Sequence, residues 1–499
     1  MHFNLDRRLL VYVSITGLIL ILVGLMVLPV GIPFIEHVVS YWWADKGFQY
    51  AVGQEHKVIW YKKTAASFLF LFFVFFSAWV WTRLRGKKVA YLLLWAYFVF
   101  CASAIGSQFL AVGGWATHAQ KNLEKTWDDA PGMIHVIDRI DDPRAFMADM
   151  TKYAGVDGQL KGPLALKAPA YVLLFYALDR INKRIMNVLG MESSNLAQRA
   201  ALLAVAFTLL IGTYLIPFFH LSKILFNESV ARAGLIVASL SPMVSYGFAQ
   251  WMAWGHHFLI PISALCFLLT AAGMKREKWL WVAAGVVFSM LVGFVIWESF
   301  ALSGLLLFIV FVHLYRTNKK AISKKIVLRL GLSVIGAFAM ISLGLFAFLR
   351  FNIFSYLWDH LMVTHVIFSI HKMFVSRGPL ILIASLFTNV FGFLFFMGVA
   401  PSVQLYHSLK ADWRDRAGTK SLYSSLLVGL LIFVALLDLS GMSTETGRLW
   451  AFMLPAFLVA SLSEFHRIND EQKIKVLSLV IFVLEGIQIL VERSVFFSI

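Results

Sequence analysis

The sequence predicts an all-α, polytopic membrane protein, and three observations carry that prediction. Of its 499 residues 60% are hydrophobic and only 14% charged, where a soluble chain carries about 25% charged residues. Apolar runs of bilayer length recur from end to end. Lysines and arginines collect in the short segments between those runs, where they act as topology signals. A net charge of +17 would point to nucleic acid only if the bases formed one patch on a soluble face. Here they alternate with apolar runs, so no nucleic-acid partner is expected, and contact with anionic membrane lipid is. The two cysteines, Cys101 and Cys266, both fall in apolar runs, which speaks against a disulfide framework or a cysteine metal site.

Taken in order, the first span is expected over about 9–30, behind Arg7 and Arg8. MHFNLDRR precedes a long apolar run with no small-residue cleavage site, so this segment reads as a retained span. A polar loop covers 31–63. The second span, about 64–82, ends in RLRGKK, and the third covers about 89–112. An acidic loop then runs from 113 to about 164. Further apolar segments lie near 198–221, 233–251, 254–274, 279–296, 299–315, 328–349, 379–398, 421–438, 448–463 and 474–491.

The segment 165–182 decides the parity. Its apolar part is short and is interrupted by Lys167 and Pro169. If it crosses, the Lys275-Arg276-Glu277-Lys278 turn and the 316–329 run face outside. If it lies at the interface or re-enters, these runs, RLRGKK and the 410–420 and 466–475 loops all fall inside with the N-terminus. The positive-inside rule favours the second layout. The expectation is about 13 transmembrane helices, interfacial helices in the first large outer loop, an inside N-terminus and an outside C-terminus. Three parts follow: two N-terminal helices (1–88), a module over 89–315 with an outer loop at 113–197, and completing helices over 316–499. This layout brings Asp128, Lys167, His256, His257, Glu298, Arg350, His365, Glu445 and Arg448 to the outer face.

The stretch from Thr126 to Tyr171 is the polar exception in an apolar chain. It carries seven aspartates, among them Asp128, Asp129 and Asp138. A carboxylate within reach of a hydroxyl or amine proton can act as general base, and two adjacent acids can hold a divalent cation through oxygen. The plainer reading is a solvated loop with an aspartate helix cap. Lys167, where an apolar helix meets the headgroups, can pair with a lipid phosphate or simply snorkel. The segment from Ser241 to His257 is rich in aromatics and ends in His256-His257. It is either an interfacial belt or a binding edge for phosphate or sugar hydroxyls; adjacent histidines point about 100° apart on a helix, which disfavours joint metal ligation. Glu298 sits in VIWESFAL between two apolar runs, where a carboxylate costs about 2–3 kcal/mol unless paired or wet. Arg448 opens a late span, where a guanidinium either anchors the helix or binds phosphate bidentately. No Rossmann fingerprint, Walker loop, tandem repeat or inverted repeat is visible.

The order of these pieces resembles the glycosyltransferase C superfamily, with the closest likeness to the protein O-mannosyltransferases and the lipid A aminoarabinose transferase. TWDDAP resembles the acidic pair that opens the first outer loop in that family. LKAPAYVLLFYAL resembles its lysine-proline motif ending in tyrosine, at Lys167, Pro169 and Tyr171. HLSKILFNESVARAGLIVASLSPMVSYGF resembles the segment that follows, with Ser241-Pro242, and GRLWAFMLP resembles the late arginine at Arg448. The likeness covers roughly 89–315 plus that arginine. The chain departs from the pattern in having two spans before the acidic loop, Ala168 in place of a second proline, and His256-His257 where relatives often carry an acid.

The resemblance implies an integral membrane enzyme, in a bacterial or archaeal cell membrane, that moves a sugar from a polyprenyl-phosphate donor to a lipid, glycan or protein acceptor with inversion. Asp128, together with Asp129, would be the general base. Lys167 and Arg448 would neutralise the phosphate leaving group. Tyr171, His256, His257, Glu298 and Glu445 would line the cavity. A divalent cation is an open option and no metal ligand is assigned. The alternative from another class is a transporter or flippase of a lipid-linked sugar or other anion, using the same basic residues for binding alone. A third is a non-catalytic subunit with a degenerate site.

Overall fold

The structure is a computed structural model, and it describes residues 10–18, 60–107, 133–148, 169–243, 256–293, 298–317, 320–354, 390–414, 422–439, 451–468 and 470–496. Every regular element among them is a helix. A helix over 10–18 (α1) precedes Trp60–Leu84 (α2) and Val89–Gly106 (α3). Two short helices, Met133–Ile137 (α4) and Pro143–Ala148 (α5), lie in the acidic loop. Pro169–Val188 (α6), Leu196–Gly212 (α7), Leu215–Leu225 (α8) and Glu228–Ser239 (α9) follow. Then come Leu259–Lys275 (α10), Trp279–Gly293 (α11), Glu298–Arg316 (α12) and Lys320–Leu349 (α13). The last six are Val390–Met397 (α14), Val399–Arg414 (α15), Leu422–Leu439 (α16), Leu454–Ser461 (α17), Ser463–Ile468 (α18) and Glu471–Phe496 (α19).

Among the described residues six stretches are long and apolar enough to cross a bilayer: Ala65–Leu84, Val89–Gly106, Leu196–Leu225, Ser299–Arg316, Val327–Phe348 and Glu471–Val491. The bent pair α14–α15 makes a seventh if it counts as one span, and α10, α11 and part of α16 are shorter apolar helices. These helices fit a multi-pass membrane protein. The outward faces of α2 and α13 agree: Phe68, Leu69, Phe72, Val327, Leu332 and Phe348 are all exposed. In water a contiguous apolar face of that kind would be an unburied patch; in a bilayer it is the lipid side.

The stretch expected to be re-entrant or interfacial, 165–182, falls largely in α6. That helix is not among those apolar enough to cross: Asp179, Arg180, Lys183 and Arg184 fill its second half. One expected span ends at a sharp bend and another is broken. The 379–398 run ends where α14 meets α15 at 114°. The 448–463 run becomes a short turn of 3-10 helix, Ala451–Met453, then α17 and α18. Pro455 in the first turn of α17 donates no backbone hydrogen bond, so the turn before it is free to wind differently.

Close helix crossings rest on small residues, as expected where apolar attraction between helices is weak. The α10–α11 hairpin is one such crossing. A Cβ on Gly273 would come within 2.8 Å of the Val282 backbone nitrogen and 3.0 Å of the Lys278 carbonyl. Among the described residues the first and last long helices are neighbours, since a Cβ on Gly486 of α19 would meet the Val74 side chain of α2 at 2.8 Å.

The basic turns gather at one end of the bundle. Arg85 donates to the Glu471 carbonyl at 2.8 Å, and Arg232 to the carbonyls of Arg85 and Lys87, each at 2.8 Å. Lys275 donates to the Ile224 carbonyl, Arg316 to that of Ser424 and Arg467 to that of Ser408. Phe226 lies against both Tyr423 and His466. Lys223 and Arg232 grip Glu228 there, and their hydrogen bonds, Lys223's first, hold its carboxyl below the usual range.

Candidate functional site

The site segments lie at the other end. α10 finishes at the basic end with Lys275, so its start, with the 3-10 turn His256–Phe258 before it, lies at the opposite end. α17 likewise runs toward the basic end: Tyr423 donates to the Ala460 carbonyl and Ser408 to that of Ser461. Its beginning is the Ala451–Met453 turn, three residues after Arg448, and this turn packs against the His256–Phe258 turn and the start of α10. α12, which opens at Glu298, also contacts the Ala451–Met453 turn.

A chain of aromatic rings joins the start of α6 to this cluster. Tyr171 meets Phe175 edge-on at 4.9 Å between centroids; Phe175 lies 4.5 Å from Phe207 of α7, and Phe207 lies 4.6 Å, edge-on, from Phe258. Tyr171, Phe175 and Phe207 are fully buried. Edge-to-face pairs of this kind add about 0.5–1.5 kcal/mol each beyond their buried area. The segment just after Lys167 is thereby fixed against the segment that carries His257.

An ion network ties the acidic loop to the same end. Arg199, in the first turn of α7, is held by the Asn195 cap, whose side chain accepts from the Gln198 backbone at 3.1 Å. Its guanidinium donates to Asp179 through Nε at 3.0 Å and Nη2 at 2.7 Å, and to Asp138 through Nη1 at 3.0 Å and Nη2 at 2.8 Å. Lys183 reaches Asp138 at 2.9 Å and Asp179 at 3.1 Å. Arg199 and Asp179 are buried while Asp138 and Lys183 are half-exposed. Burial pushes the Asp138 carboxyl up, but the Arg199 hydrogen bonds and then Lys183 outweigh it and hold it below the usual carboxylate range. The network fixes α4, and with it the chain that follows Asp128 and Asp129, against α6 and α7.

Of the expected site residues, Asp128, Asp129, Lys167, Glu445 and Arg448 lie outside the described residues. His256 and Glu298 open helical elements and their side chains lie outside the description as well. Tyr171 and His257 are described, and both are buried. The structure thus brings together the described flanks: 133–137, the start of α6, the His256–Phe258 turn, the start of α12 and the Ala451–Met453 turn. Among the described residues no group of three His, Cys, Asp or Glu side chains is placed to hold a metal; the Asp128–Asp129 pair lies outside them.

The sequence reading missed the Arg199 network. Half of it was visible, since Asp179 and Lys183 are four apart on one helix face. The pairing of Arg199 with Asp138 has no local signal.

No family model, no curated protein and no solved structure matches this chain.

Proposed function

We propose that this chain is a membrane glycosyltransferase that uses a polyprenyl-phosphate sugar, with its site at the end of the bundle away from the basic turns. The observation that carries the reading is the convergence just described. Segments separated by up to some three hundred residues, each next to a residue singled out for its chemistry, have neighbours packed at one end. In this reading Asp128, with Asp129, takes the acceptor proton. Lys167 and Arg448 meet the phosphate, where charge grows as the sugar leaves, and Tyr171, His256, His257, Glu298 and Glu445 shape the surroundings. Preorganised cations at a developing oxyanion are among the largest contributions a site makes to rate. The basic end lies inside by the positive-inside rule, which puts the site on the outer face and fits about 13 spans. The acceptor is a lipid, a glycan or a protein.

One observation favours a second reading. The α14–α15 pair is broken at 114° beside the buried carboxyl of Glu485, and discontinuous helices are how many transporters build substrate and ion sites. A transporter or flippase of a lipid-linked sugar would use the same basic groups without bond cleavage. The deciding experiment supplies purified protein with a panel of radiolabelled polyprenyl-phosphate sugars and membrane extract as acceptor source. Release of polyprenyl phosphate with label in a new product supports the enzyme. Donor binding without release, together with lipid-linked sugar crossing proteoliposome bilayers, overturns it in favour of transport.

A further inference from the structure

Five of the buried polar groups that the proposed site does not use lie on helices joined through α19 and α15. α19 touches α2 at Gly486 and Val74. It touches the α14–α15 break through Gln488, whose Oε1 accepts from the Val399 amide and whose Nε2 donates to the Phe395 carbonyl, both at 2.8 Å. α1 joins the group through Tyr12, which donates to the Glu464 carboxylate and lies 5.9 Å from the His407 ring of α15. On these helices five buried side chains have polar atoms with no hydrogen-bond partner among the described residues. They are Thr16 on α1, Ser77 and Trp81 on α2, Gln404 on α15 and Glu485 on α19. Gln404 lacks partners at both ends of its amide, and Glu485 at both oxygens; neither is exposed at all.

Their placement has a direction. Thr16 follows Tyr12 by one turn. Ser77 and Trp81 share a helix face with each other and continue the face of Val74 toward Arg85. Gln404 precedes by one turn Ser408, whose hydroxyl accepts from the Glu464 amide at 3.1 Å. Each pair leads from the basic end into the bundle. Glu485 lies deepest. It stands 14 residues beyond Glu471, whose carbonyl meets Arg85 at the basic end, which is about 21 Å along the helix and inside an apolar core of about 30 Å. Beside it, Gly398 has φ +121°, and a Cβ there would come within 3.2 Å of the Glu485 carboxyl. The carboxyl therefore sits against the break itself.

An unpartnered charge at that depth is costly, and a carboxyl there is a candidate for proton or ion handling. Clusters of unpaired buried polar atoms are where ordered water resides, each water making about three hydrogen bonds. We propose that Glu485 is a proton-binding carboxyl at the inner limit of a hydrated seam between α1, α2, α15 and α19, which runs toward the basic end past the buried Tyr12–Glu464 pair. The proton leaves the Glu485 oxygen for a seam water, and the carboxylate left behind accepts hydrogen bonds from water. Nothing is oxidised or reduced. Tyr214, a buried titratable group on the neighbouring α7–α8 span, is engaged elsewhere, its hydroxyl donating to the Ala238 carbonyl. The charged groups with described side chains on the surrounding helices lie toward the basic end: Arg83 on α2 and Arg85 just past it, Glu228 and Arg232 on α9, His407 and Lys410 on α15, and Glu464, His466 and Arg467 on α18. The inference holds whether the chain transfers a sugar or transports one.

The test is infrared spectroscopy of the full-length protein in nanodiscs. At neutral pH the wild type is expected to show the carbonyl stretch of a protonated carboxylic acid. That band is lost in Glu485→Gln, a variant of the same shape, and in the wild type it shifts within the mixing time after transfer to deuterated water. Retention of the whole band in Glu485→Gln overturns the proton site. A Glu485 band that shifts only as slowly as the protected core amides overturns the hydrated seam. Should Glu485→Gln fail to fold, dicyclohexylcarbodiimide, which adds to protonated carboxyls in apolar surroundings, decides on the wild type. Modification of the Glu485 peptide that falls as pH rises supports the proposal, and an unmodified peptide at every pH overturns it.

Discussion

Arg199 holds Asp138 across 61 residues of chain through two parallel hydrogen bonds, Nη1 to Oδ2 at 3.0 Å and Nη2 to Oδ1 at 2.8 Å. The same guanidinium forks onto Asp179, so one side chain joins the acidic loop to two helices. Arg199→Met keeps the apolar stem and removes all four bonds. Breaking a buried ion pair by deleting one partner costs about 3–5 kcal/mol. The low end is expected here, because Lys183 stays within 3.1 Å of Asp179 and Asp138 is partly exposed. Thermal unfolding in detergent should fall, and hydrogen exchange over 133–148 should rise well before exchange in α10 does. Equal loosening in both regions would make Arg199 a general fold residue with no special hold on the loop.

Asp138 gives that docking a pH dependence whose sign follows from its depressed folded value. The unfolded carboxyl titrates at about 3.9. A group with a lower folded value contributes stability that is fully present above the unfolded value and is lost as pH falls through the folded one. Protection of 133–148 should therefore be flat from neutral pH down to about 5 and fade below about 4. Asp138→Asn should remove that acid-induced loss. An onset nearer pH 6 would assign the effect to a histidine instead.

Gly398 makes the break between α14 and α15 possible. Its φ of +121° is closed to side chains, and an added Cβ would press on Pro401 at 3.0 Å and on Glu485 at 3.2 Å. Gly398→Ala should cost about 1–3 kcal/mol, the usual range for a residue forced into a forbidden backbone region. Thermal stability reads this directly, and a Gly398→Ala protein as stable as wild type would mean that the two helices straighten without loss.

How legible was all this? The long helices were, because twenty apolar residues read the same whatever they pack against. The breaks were not. The apolar run over 379–398 ends at Gly398, but the positive φ and the bend there leave no trace in composition, and the 448–463 run passes straight through Leu462, where α17 gives way to α18. The run expected over 233–251 holds helix to Ser239, just before Ser241-Pro242, where a proline biases the preceding residue away from helix. Glu485 is visible as an acid inside IFVLEGIQIL, but it belongs to no motif. Asp128, Asp129, Lys167, Glu445 and Arg448 lie outside the described residues.

The layout makes a topological prediction of its own. The turn at Lys278 belongs to the basic end, and Lys121 lies in the acidic loop on the expected outer side. Single cysteines replacing Lys121 and Lys278, in a background without Cys101 and Cys266, should be labelled by a membrane-impermeant maleimide from opposite sides. Labelling of both from the same side would mean that 165–182 crosses the bilayer.

The sharpest prediction separates the chemistry from the binding. A general base contributes typically about 10²–10⁴-fold to rate. Asp128→Asn keeps size and hydrogen bonding but cannot take a proton, so it should lose turnover by about that factor and still bind donor lipid. Lys167→Ala and Arg448→Ala each remove a charge from the proposed phosphate seat, so they should chiefly weaken donor binding, by about 1.5–3 kcal/mol for a charge-assisted contact. Binding of a polyprenyl-phosphate sugar and release of polyprenyl phosphate, measured on the same preparations, separate the two effects. Asp129→Asn is the control that fixes the register. If it abolishes turnover while Asp128→Asn does not, the base is the second aspartate. If neither substitution slows turnover, no carboxylate of this pair is the base. If no donor turns over at all while Lys167 and Arg448 still govern its binding, the basic residues serve a transporter.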